Sequence, residues 1–481
     1  MDREKTLYMY VYDQIVMDIY RGKYQNQDKL PSLAQLCDRY DVGRNTIRTA
    51  IRHLEEEGYV ISEKGTHARV CFNRELVDDN IRYLTSLAAR KQTINDIFDT
   101  LGMMMPQIVS DSLHKATPEE MLKLKEAIHG LRTDESITDE NRLQDFLVDI
   151  YSYAMSFLGN DILLEMFRVM MQSMFIPLSN DTREGSRFSD STQKIKDTIA
   201  RLLSFVMTGN DYMLKISIRL FCSQYKKVTG SYIERVCKDI ETTEVENFRW
   251  ISNREQEYLY MQVISEILRD IDLGVLRDGE LLPPMASLAK KYQVSLRTMR
   301  KVNEVLNEFG IVMTRNGVGT TVTLSNFESQ ENFKDNEILQ KFMRRYCESL
   351  EILCYLLKGC LKQLLTHCTE DQYVALVNAY EAEPLFTLQP FFDFIKTYSN
   401  SCTRVIVEEL EKGVAWNLFM KALKEQDPVY DLTTLHQKVR QELRKRNMRK
   451  VSKLILDLMN FAVSMNYQNY HKLYRDTTSS S

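Results

Sequence analysis

The sequence has little glycine or proline, no long apolar run and no excess of positive charge. Only 17 glycines and 9 prolines occur among 481 residues, which predicts a mainly helical protein. Residues 161–178 come closest to a membrane span, but they include Glu165 and Arg168. The N-terminus also lacks the apolar run of a signal peptide, so we expect a cytoplasmic protein without membrane contact.

Cysteine, histidine and motif patterns argue against a metal centre, a cofactor or an active site. None of the nine cysteines forms a CxxC pair, and Cys347, Cys354 and Cys360 follow a roughly helical spacing among Leu and Tyr. We therefore expect these three to be reduced core residues. No two of the seven histidines have the i, i+4 spacing, so we predict structural histidines and no metal. Without GxSxG, HExxH, Walker A or GxGxxG motifs, we expect no enzyme activity.

A repeat with an offset of 252 residues organises the chain. The net charge of −4 excludes a generally basic nucleic-acid coat, so any DNA contact must come from locally arranged positive charge. The repeat keeps one register over about sixty residues, which indicates a duplication. Its matched pairs include Gly22 with Gly274, Leu30 with Leu282, Thr46 with Thr298, Arg48 with Arg300, Gly58 with Gly310 and Gly65 with Gly317.

Each copy predicts three helices and a small β-wing. In the first copy we expect helices over 8–20, 33–40 and 44–57, with Ser32 as a helix cap and a tight turn at 41–43. Strands are expected over 59–61 and 68–72, and in the second copy over 311–314 and 320–324. The third helix has an apolar face, and its opposite face carries four polar residues without an acid: Arg44, Asn45, Arg48 and Arg52.

The fold class is therefore mainly α, with two winged helix-turn-helix domains that are each followed by an all-α domain. Helices are predicted over 81–101, 118–131, 141–158, 161–175, 191–206, 211–225 and 231–240, with a loop over 180–190. The expected domains are 1–74 (winged helix), 75–250 (helical), 251–326 (winged helix) and 327–475 (helical), with a disordered tail over 476–481.

Residues 30–65, LPSLAQLCDRYDVGRNTIRTAIRHLEEEGYVISEKG, resemble the winged helix of the GntR family of bacterial regulators. The resemblance covers about 65 residues and occurs twice. It implies a DNA-binding transcription regulator whose effector domain senses a ligand. The helical segments resemble the all-α effector type of that family, which includes fatty-acid-responsive members. The partners implied are double-stranded DNA and a small-molecule effector, such as an acyl compound or organic acid.

The resemblance also assigns DNA contacts, because Arg44, Thr46 and Arg48 stand where the family places its DNA-contacting Arg, Thr and Arg. The candidates in the first copy are Ser32, Arg44, Asn45, Thr46, Arg48, Arg52, Lys64 and Gly65. In the second copy they are Arg297, Thr298, Arg300, Lys301, Arg315, Gly317, Gly319 and Thr320. The sequence departs from the family at Ala34 and Ala286, where an Arg is usual, and at Leu296, which replaces Arg44.

Two readers in one chain lead us to expect a covalent pseudo-dimer on an asymmetric operator, with a homodimer of four readers as the alternative. We also expect the two helical domains to pack together and set the spacing of the readers. A different class of function is an interaction or scaffold protein whose winged helices do not read DNA sequence.

Two further segments leave alternatives open. Met103–Met105 and the methionines of 166–174 suit either a plain core or a pocket for an apolar ligand. Residues 438–453 carry eight basic residues and one acid, Glu442. That segment could form a solvated face, touch phosphate, bind an anionic effector or oppose Glu408, Glu409 and Glu411.

Overall fold

In the computed structural model, the chain forms two compact units. The structure describes residues 3–40, 42–62, 67–73, 75–133, 140–174, 176, 201, 204–205, 208–250, 259–272, 274–323, 337–384, 386–414 and 431–474. The first unit comprises Met1–Asn253 with Asn400–Val405, and the second comprises Arg254–Ser399 with Ile406–Ser481. Each unit contains one winged helix-turn-helix and a set of longer helices, which confirms the predicted fold class.

Reader 1, the winged helix of the first unit, has three helices and a two-stranded wing. Its elements are α1 (Arg3–Tyr20), α2 (Leu33–Tyr40), α3 (Arg44–Glu56), β1 (Val60–Ile61) and β2 (Arg69–Val70). After α1 the chain reverses at Gly22, whose φ of +76° glycine adopts without steric cost. The predicted cap on α2 is confirmed: Ser32 Oγ accepts from the Gln35 N–H at 3.2 Å, and the Ser32 N–H donates to Gln35 Oε1 at 2.9 Å.

An apolar core fixes the helices of reader 1 against one another. Ile15 of α1 and Ile47 and Leu54 of α3 are all fully buried, with 0% exposure. Burial of each such side chain stabilises the fold by about 1.5–3 kcal/mol. Because the buried residues of α3 recur at helical spacing, the opposite face of α3 is left to solvent.

Reader 2, the winged helix of the second unit, repeats this arrangement with a longer wing. Its elements are α9 (Leu259–Asp272), α10 (Met285–Lys291), α11 (Leu296–Glu308), β3 (Val312–Arg315) and β4 (Gly319–Val322). The antiparallel register runs from Val312 opposite Val322 to Arg315 opposite Gly319. Gly317 and Gly319 have φ values of +77° and +125°, so the turn of this wing depends on glycine at both positions.

Five further helices lie wholly within the described part of the first unit, and one of them is continuous where two separate helices are predicted. They are α4 (Val77–Lys115), α5 (Pro118–Thr133), α6 (Glu140–Ser156), α7 (Asp161–Ser173) and α8 (Asp211–Val236). The prediction of separate helices over 211–225 and 231–240 is wrong, because α8 continues through Gly230. Two ion pairs hold α8 to α4 on either side of that glycine: Lys226 with Asp99 at 2.7 Å and Glu234 with Lys91 at 2.8 Å.

Other predicted helices differ from the observed ones at their ends. The helix predicted over 81–101 is longer, since α4 extends to Lys115 with Pro106 inside it. The loop predicted over 180–190 lies outside the described residues. So does the helix predicted over 191–206, apart from residues 201 and 204–205.

Six described helices follow reader 2 in the chain: α12 (Glu337–His367), α13 (Glu370–Ala382), α14 (Gln389–Tyr398), α15 (Ser401–Val414), α16 (Leu432–Arg444) and α17 (Met448–Tyr474). All belong to the second unit except the start of α15, up to Val405, which belongs to the first. Cys347, Cys354 and Cys360 are buried along α12 and form no disulfide, which confirms them as reduced core residues. Among the described helices, none is both long and apolar enough to cross a membrane.

Candidate nucleic-acid interface

The N-terminus of α3 presents basic side chains and uncapped backbone groups to solvent. Gly43 precedes the helix with φ −67° and ψ 154° and offers no side chain to cap it. Arg44 and Asn45, the first two helical residues, are exposed. The first N–H groups of a helix lack partners inside the helix, and the helix dipole favours an anion beside them. This end of α3 is therefore suited to a phosphate oxygen.

The exposed face of α3 continues through Arg48 and Arg52, one and two turns after Arg44. Arg52 is partly offset by its own helix, because its Nε lies 3.7 Å from Glu56 Oε1. Thr46 differs from its neighbours, since it is only 9% exposed and lies at the edge of the core. The structure thus places three of the predicted arginines on one solvent face and Thr46 beside the core.

Reader 2 begins its third helix in the same register but with a different surface. Leu296 is the first residue of α11 and is 49% exposed, and Arg297, Arg300 and Lys301 are exposed after it. Ser295 Oγ accepts from the Thr298 N–H at 3.1 Å. The first turn of α11 is therefore capped from within, whereas that of α3 is open.

The wing of reader 2 is tied to α11 by a network of side chains. Thr314 Oγ1 accepts from Asn303 Nδ2 at 3.0 Å and from Asn307 Nδ2 at 2.9 Å, and the Thr314 N–H donates to Asn307 Oδ1 at 2.9 Å. Thr320, a predicted DNA contact, donates to Asn303 Oδ1 at 3.2 Å. The network holds β3 and β4 against the recognition helix, so Arg315, which is exposed, extends from an ordered strand.

Sequence reasoning missed the two asparagines of this network. A comparison of the two copies contains a partial signal, because Asn307 corresponds to Glu55. In reader 1 Glu55 makes the matching contact, accepting from the Ser62 N–H at 2.7 Å. The predicted contacts Lys64 and Gly65 of reader 1 lie outside the described residues.

Comparison with known proteins identifies both readers. The family described as "Bacterial regulatory proteins, gntR family" matches residues 7–70 and again residues 259–322. The two matches coincide with reader 1 and reader 2 and repeat the offset of 252 residues. The chain is a tandem GntR-family regulator.

Two curated relatives from Bacillus subtilis (strain 168) match part of this regulator. The "Uncharacterized HTH-type transcriptional regulator YurK" is 25% identical over 235 residues, which are 46% of this chain and 93% of the relative. The "HTH-type transcriptional regulator LutR" is 20% identical over 218 residues, which are 45% of this chain and 98% of the relative. Each relative thus aligns over nearly its full length with less than half of the tandem regulator.

Solved structures of similar proteins match to a similar extent. "Streptococcus agalactiae GntR" is 17% identical with a TM-score of 0.22 and covers 46% of this chain and 99% of its own. "E. coli McbR/YncC" is 12% identical with a TM-score of 0.25 and covers 47% of this chain and 98% of its own. TM-scores this low do not establish a shared arrangement, and the family assignment depends on the matched sequence segments.

Within the first unit of the tandem GntR-family regulator, a charged cluster links reader 1 to the helical part. Asp13 of α1 forms an ion pair with Arg249. Arg90 of α4, 4% exposed, donates to the Ser173 carbonyl at 3.3 Å and lies 3.9 Å from a Glu246 oxygen. Burial raises the pKa of Asp13 to about 6 despite Arg249, and burial also raises the pKa of Glu246. The cluster therefore joins α1 to α4 and to the segment before residue 251.

A cleft of about 700 Å³ lies between α6 and α7. Arg21, directly after α1 of reader 1, lines it together with Asp149 and Ser152 of α6 and Arg168 of α7. Among the described residues, the buried Ser152 Oγ has no hydrogen-bond partner. Met171 also lines the cleft, while Met166 and Met170 belong to the core. The cleft is therefore lined by two guanidinium groups, the carboxylate of Asp149 and the Ser152 hydroxyl, beside apolar surface.

The basic segment 438–453 is largely paired within the second unit. Arg444 Nε lies 2.6 Å from Glu381 Oε1, Arg446 contacts Glu370, and Lys450 Nζ lies 3.1 Å from Glu442 Oε1. The hydrogen bonds from Arg444 and Lys450 lower the pKa values of Glu381 and Glu442. The partners are thus Glu381, Glu370 and Glu442 rather than Glu408, Glu409 and Glu411, which are one of the four alternatives for this segment. Three apolar residues of the segment are buried: Val439, Leu443 and Val451.

Two of the described histidines have clear structural partners. His114 Nδ1 lies 2.7 Å from the Ser110 carbonyl, and His436 Nδ1 lies 3.1 Å from the Tyr380 hydroxyl. In the part of the chain that the structure describes, no three His, Cys, Asp or Glu side chains lie close enough together to hold a metal ion.

Proposed function

We propose that this regulator binds DNA sequence-specifically through both readers and that its two half-sites differ. The proposal rests on Arg44 and Leu296, which occupy the same position at the start of α3 and α11. A guanidinium can form two hydrogen bonds to a guanine edge, whereas a leucine can form none. The operator should therefore be an imperfect palindrome.

The proposed contacts belong to the recognition helices and wings of the two readers, together with the cap of α2. In reader 1 they are Arg44, Asn45, Arg48, Arg52, Lys64 and Gly65, with Ser32 and Thr46 at the helix ends. In reader 2 they are Arg297, Thr298, Arg300, Lys301, Arg315, Gly317, Gly319 and Thr320. The proposed domains are 1–74, 75–250, 251–326 and 327–475. We place the protein in the cytoplasm, as the bacterial regulator family that its readers match implies.

A chain with two readers can cover both half-sites alone, as a covalent pseudo-dimer. Regulators with one reader per chain need two chains to match a two-fold operator. A homodimer with four readers is the alternative, and it favours a perfect palindrome read by Arg44 and Arg48.

Regulation by a ligand is the second part of the proposal. The cleft between α6 and α7 supports an acyl or organic acid effector, because Arg21 and Arg168 can bind a carboxylate beside Met171. Arg21 follows α1 directly, so a bound acid contacts reader 1 as well as the helical part. The acid changes DNA affinity only if it binds the DNA-competent conformation more tightly or more weakly than it binds the other conformation.

An interaction or scaffold role is the candidate from a different class. Three apolar residues of reader 2 support this role because they are exposed to solvent: Leu281 (54% exposed), Leu296 (49%) and Val318 (65%). A scaffold of this kind would bind DNA only through phosphate attraction, without sequence preference and with a loss of binding at modest salt.

Selection of binding sites from a random duplex library, at near-physiological salt, separates these functions. The proposed function predicts enrichment of two unlike half-sites in one duplex. The variant Arg300→Ala should lose the half-site of reader 2 and keep that of reader 1. Absence of any enriched sequence would refute the proposal and favour the scaffold.

A further inference from the structure

Leu296 is an exposed leucine on the otherwise polar side of a recognition helix. Its side chain is 49% exposed, although the leucine and methionine further along α11 are buried, at 0% for Leu306 and 1% for Met299. Its exposed neighbours Arg297 and Arg300 are basic. Single exposed leucines are common on protein surfaces, so exposure alone assigns no role.

The backbone gives Leu296 the same starting point as Arg44. Each is the first residue of a 13-residue helix. The residue before Arg44 has φ −67° and ψ 154°, and the residue before Leu296 has φ −68° and ψ 154°. Because the direction of a Cα–Cβ bond is fixed by the helix, the two side chains leave their readers in the same direction. They therefore meet equivalent positions of their half-sites.

We propose that Leu296 selects thymine at the half-site position where Arg44 selects guanine. This inference rests on the proposed DNA-binding function. Thymine presents a 5-methyl group in the major groove, and apolar side chains recognise thymine through that methyl. Removal of one methyl group from water corresponds to about a 4-fold preference. Reader 2 therefore has a milder preference at this position than the roughly 5- to 150-fold discrimination of an arginine that binds guanine.

Deoxyuridine provides the sharpest test, because it differs from thymidine only by the missing methyl. Each thymidine of the enriched reader 2 half-site is replaced by deoxyuridine, one at a time, and the dissociation constant is measured with the full chain. In the unmodified protein we expect one position where the replacement weakens binding by about 4-fold. In Leu296→Ala that difference should disappear.

Leu432→Ala provides a matched control in the same unit. Leu432 is also the first residue of a helix, α16, and is 46% exposed, but it lies outside reader 2. The control variant should keep the full difference between thymidine and deoxyuridine. Leu296→Arg should change the selected base at the same position from thymine to guanine.

Two results would overturn the inference while leaving the proposed function in place. One is a reader 2 half-site in which no thymidine is sensitive to deoxyuridine. The other is a sensitive position that stays sensitive in Leu296→Ala, because another residue would then contact the methyl. Failure of the proposed function looks different, since the library then yields no second half-site.

Discussion

Replacing Arg44 by alanine removes the guanidinium at the start of α3 without disturbing the core of reader 1. The side chain is exposed, and the structure gives it no acidic partner among the described residues. The free energy of unfolding should therefore change by no more than about 0.5 kcal/mol. If Arg44 binds a guanine edge, its loss removes about 1–3 kcal/mol of discrimination, which is about 5- to 150-fold in the dissociation constant.

The assay compares two duplexes that differ only at the guanine assigned to Arg44, each measured at several salt concentrations. The unmodified protein should prefer the guanine duplex by about 5- to 150-fold. The dissociation constants of Arg44→Ala for the two duplexes should differ by no more than about 2-fold. Arg219→Ala, at an exposed arginine of α8, is the matched control and should keep the preference. The reasoning is refuted if Arg44→Ala weakens both duplexes equally and lowers the salt slope by about 1, since that pattern belongs to a phosphate contact.

Three further predictions concern pH, the wing and the cleft. Burial raises the pKa of Asp13 to about 6, above a usual value of about 4, so the protonated carboxyl stabilises the fold at low pH and this stabilisation is lost as the pH rises through 6. In urea unfolding, the free energy of unfolding should therefore fall from about pH 4 to 6 relative to that of Asp13→Asn. Equal pH profiles for the two proteins would contradict this. Thr314→Val removes the acceptor shared by two asparagines and should lower the stability of reader 2 by about 1 kcal/mol; calorimetry and half-site binding should show a weaker second half-site and an unchanged first one. With hexanoate as the probe acid, the unmodified protein and the control Arg219→Gln should show a change in operator affinity, and Arg168→Gln should keep the DNA affinity without acid but lose that change; an effect of hexanoate that persists in Arg168→Gln would rule out the cleft.

The reader elements could be predicted from the sequence because local signals specify them. The range of α2 agrees residue for residue with its prediction, since Ser32 caps it and the apolar spacing is unambiguous. The wings are shorter than or shifted from the predicted strands by a residue or two. Strand ends depend on pairing across the turn, and residue type alone does not determine that pairing.

The features that the sequence did not predict depend on contacts between distant residues. A glycine inside a helix disfavours continuation, yet α8 continues through Gly230. Contacts of α8 with α4, the ion pairs of Lys226 and Glu234 among them, hold the helix on both sides of this glycine, and these partners lie more than a hundred positions away in the chain. The pairing of Arg444 with Glu381 is similar, because it joins two helices that are separated in sequence. In the candidate site, helical spacing predicted the exposed arginines, whereas the network around Thr314 required the folded wing.

The stoichiometry of the complex tests most directly whether one chain reads two unlike half-sites. Sedimentation of the full chain with a duplex that carries only the enriched pair of half-sites gives the mass of the complex. A complex of one chain per duplex, lost when either half-site is scrambled, is the predicted result. Two chains per duplex, or binding that survives scrambling of the reader 2 half-site, would contradict it.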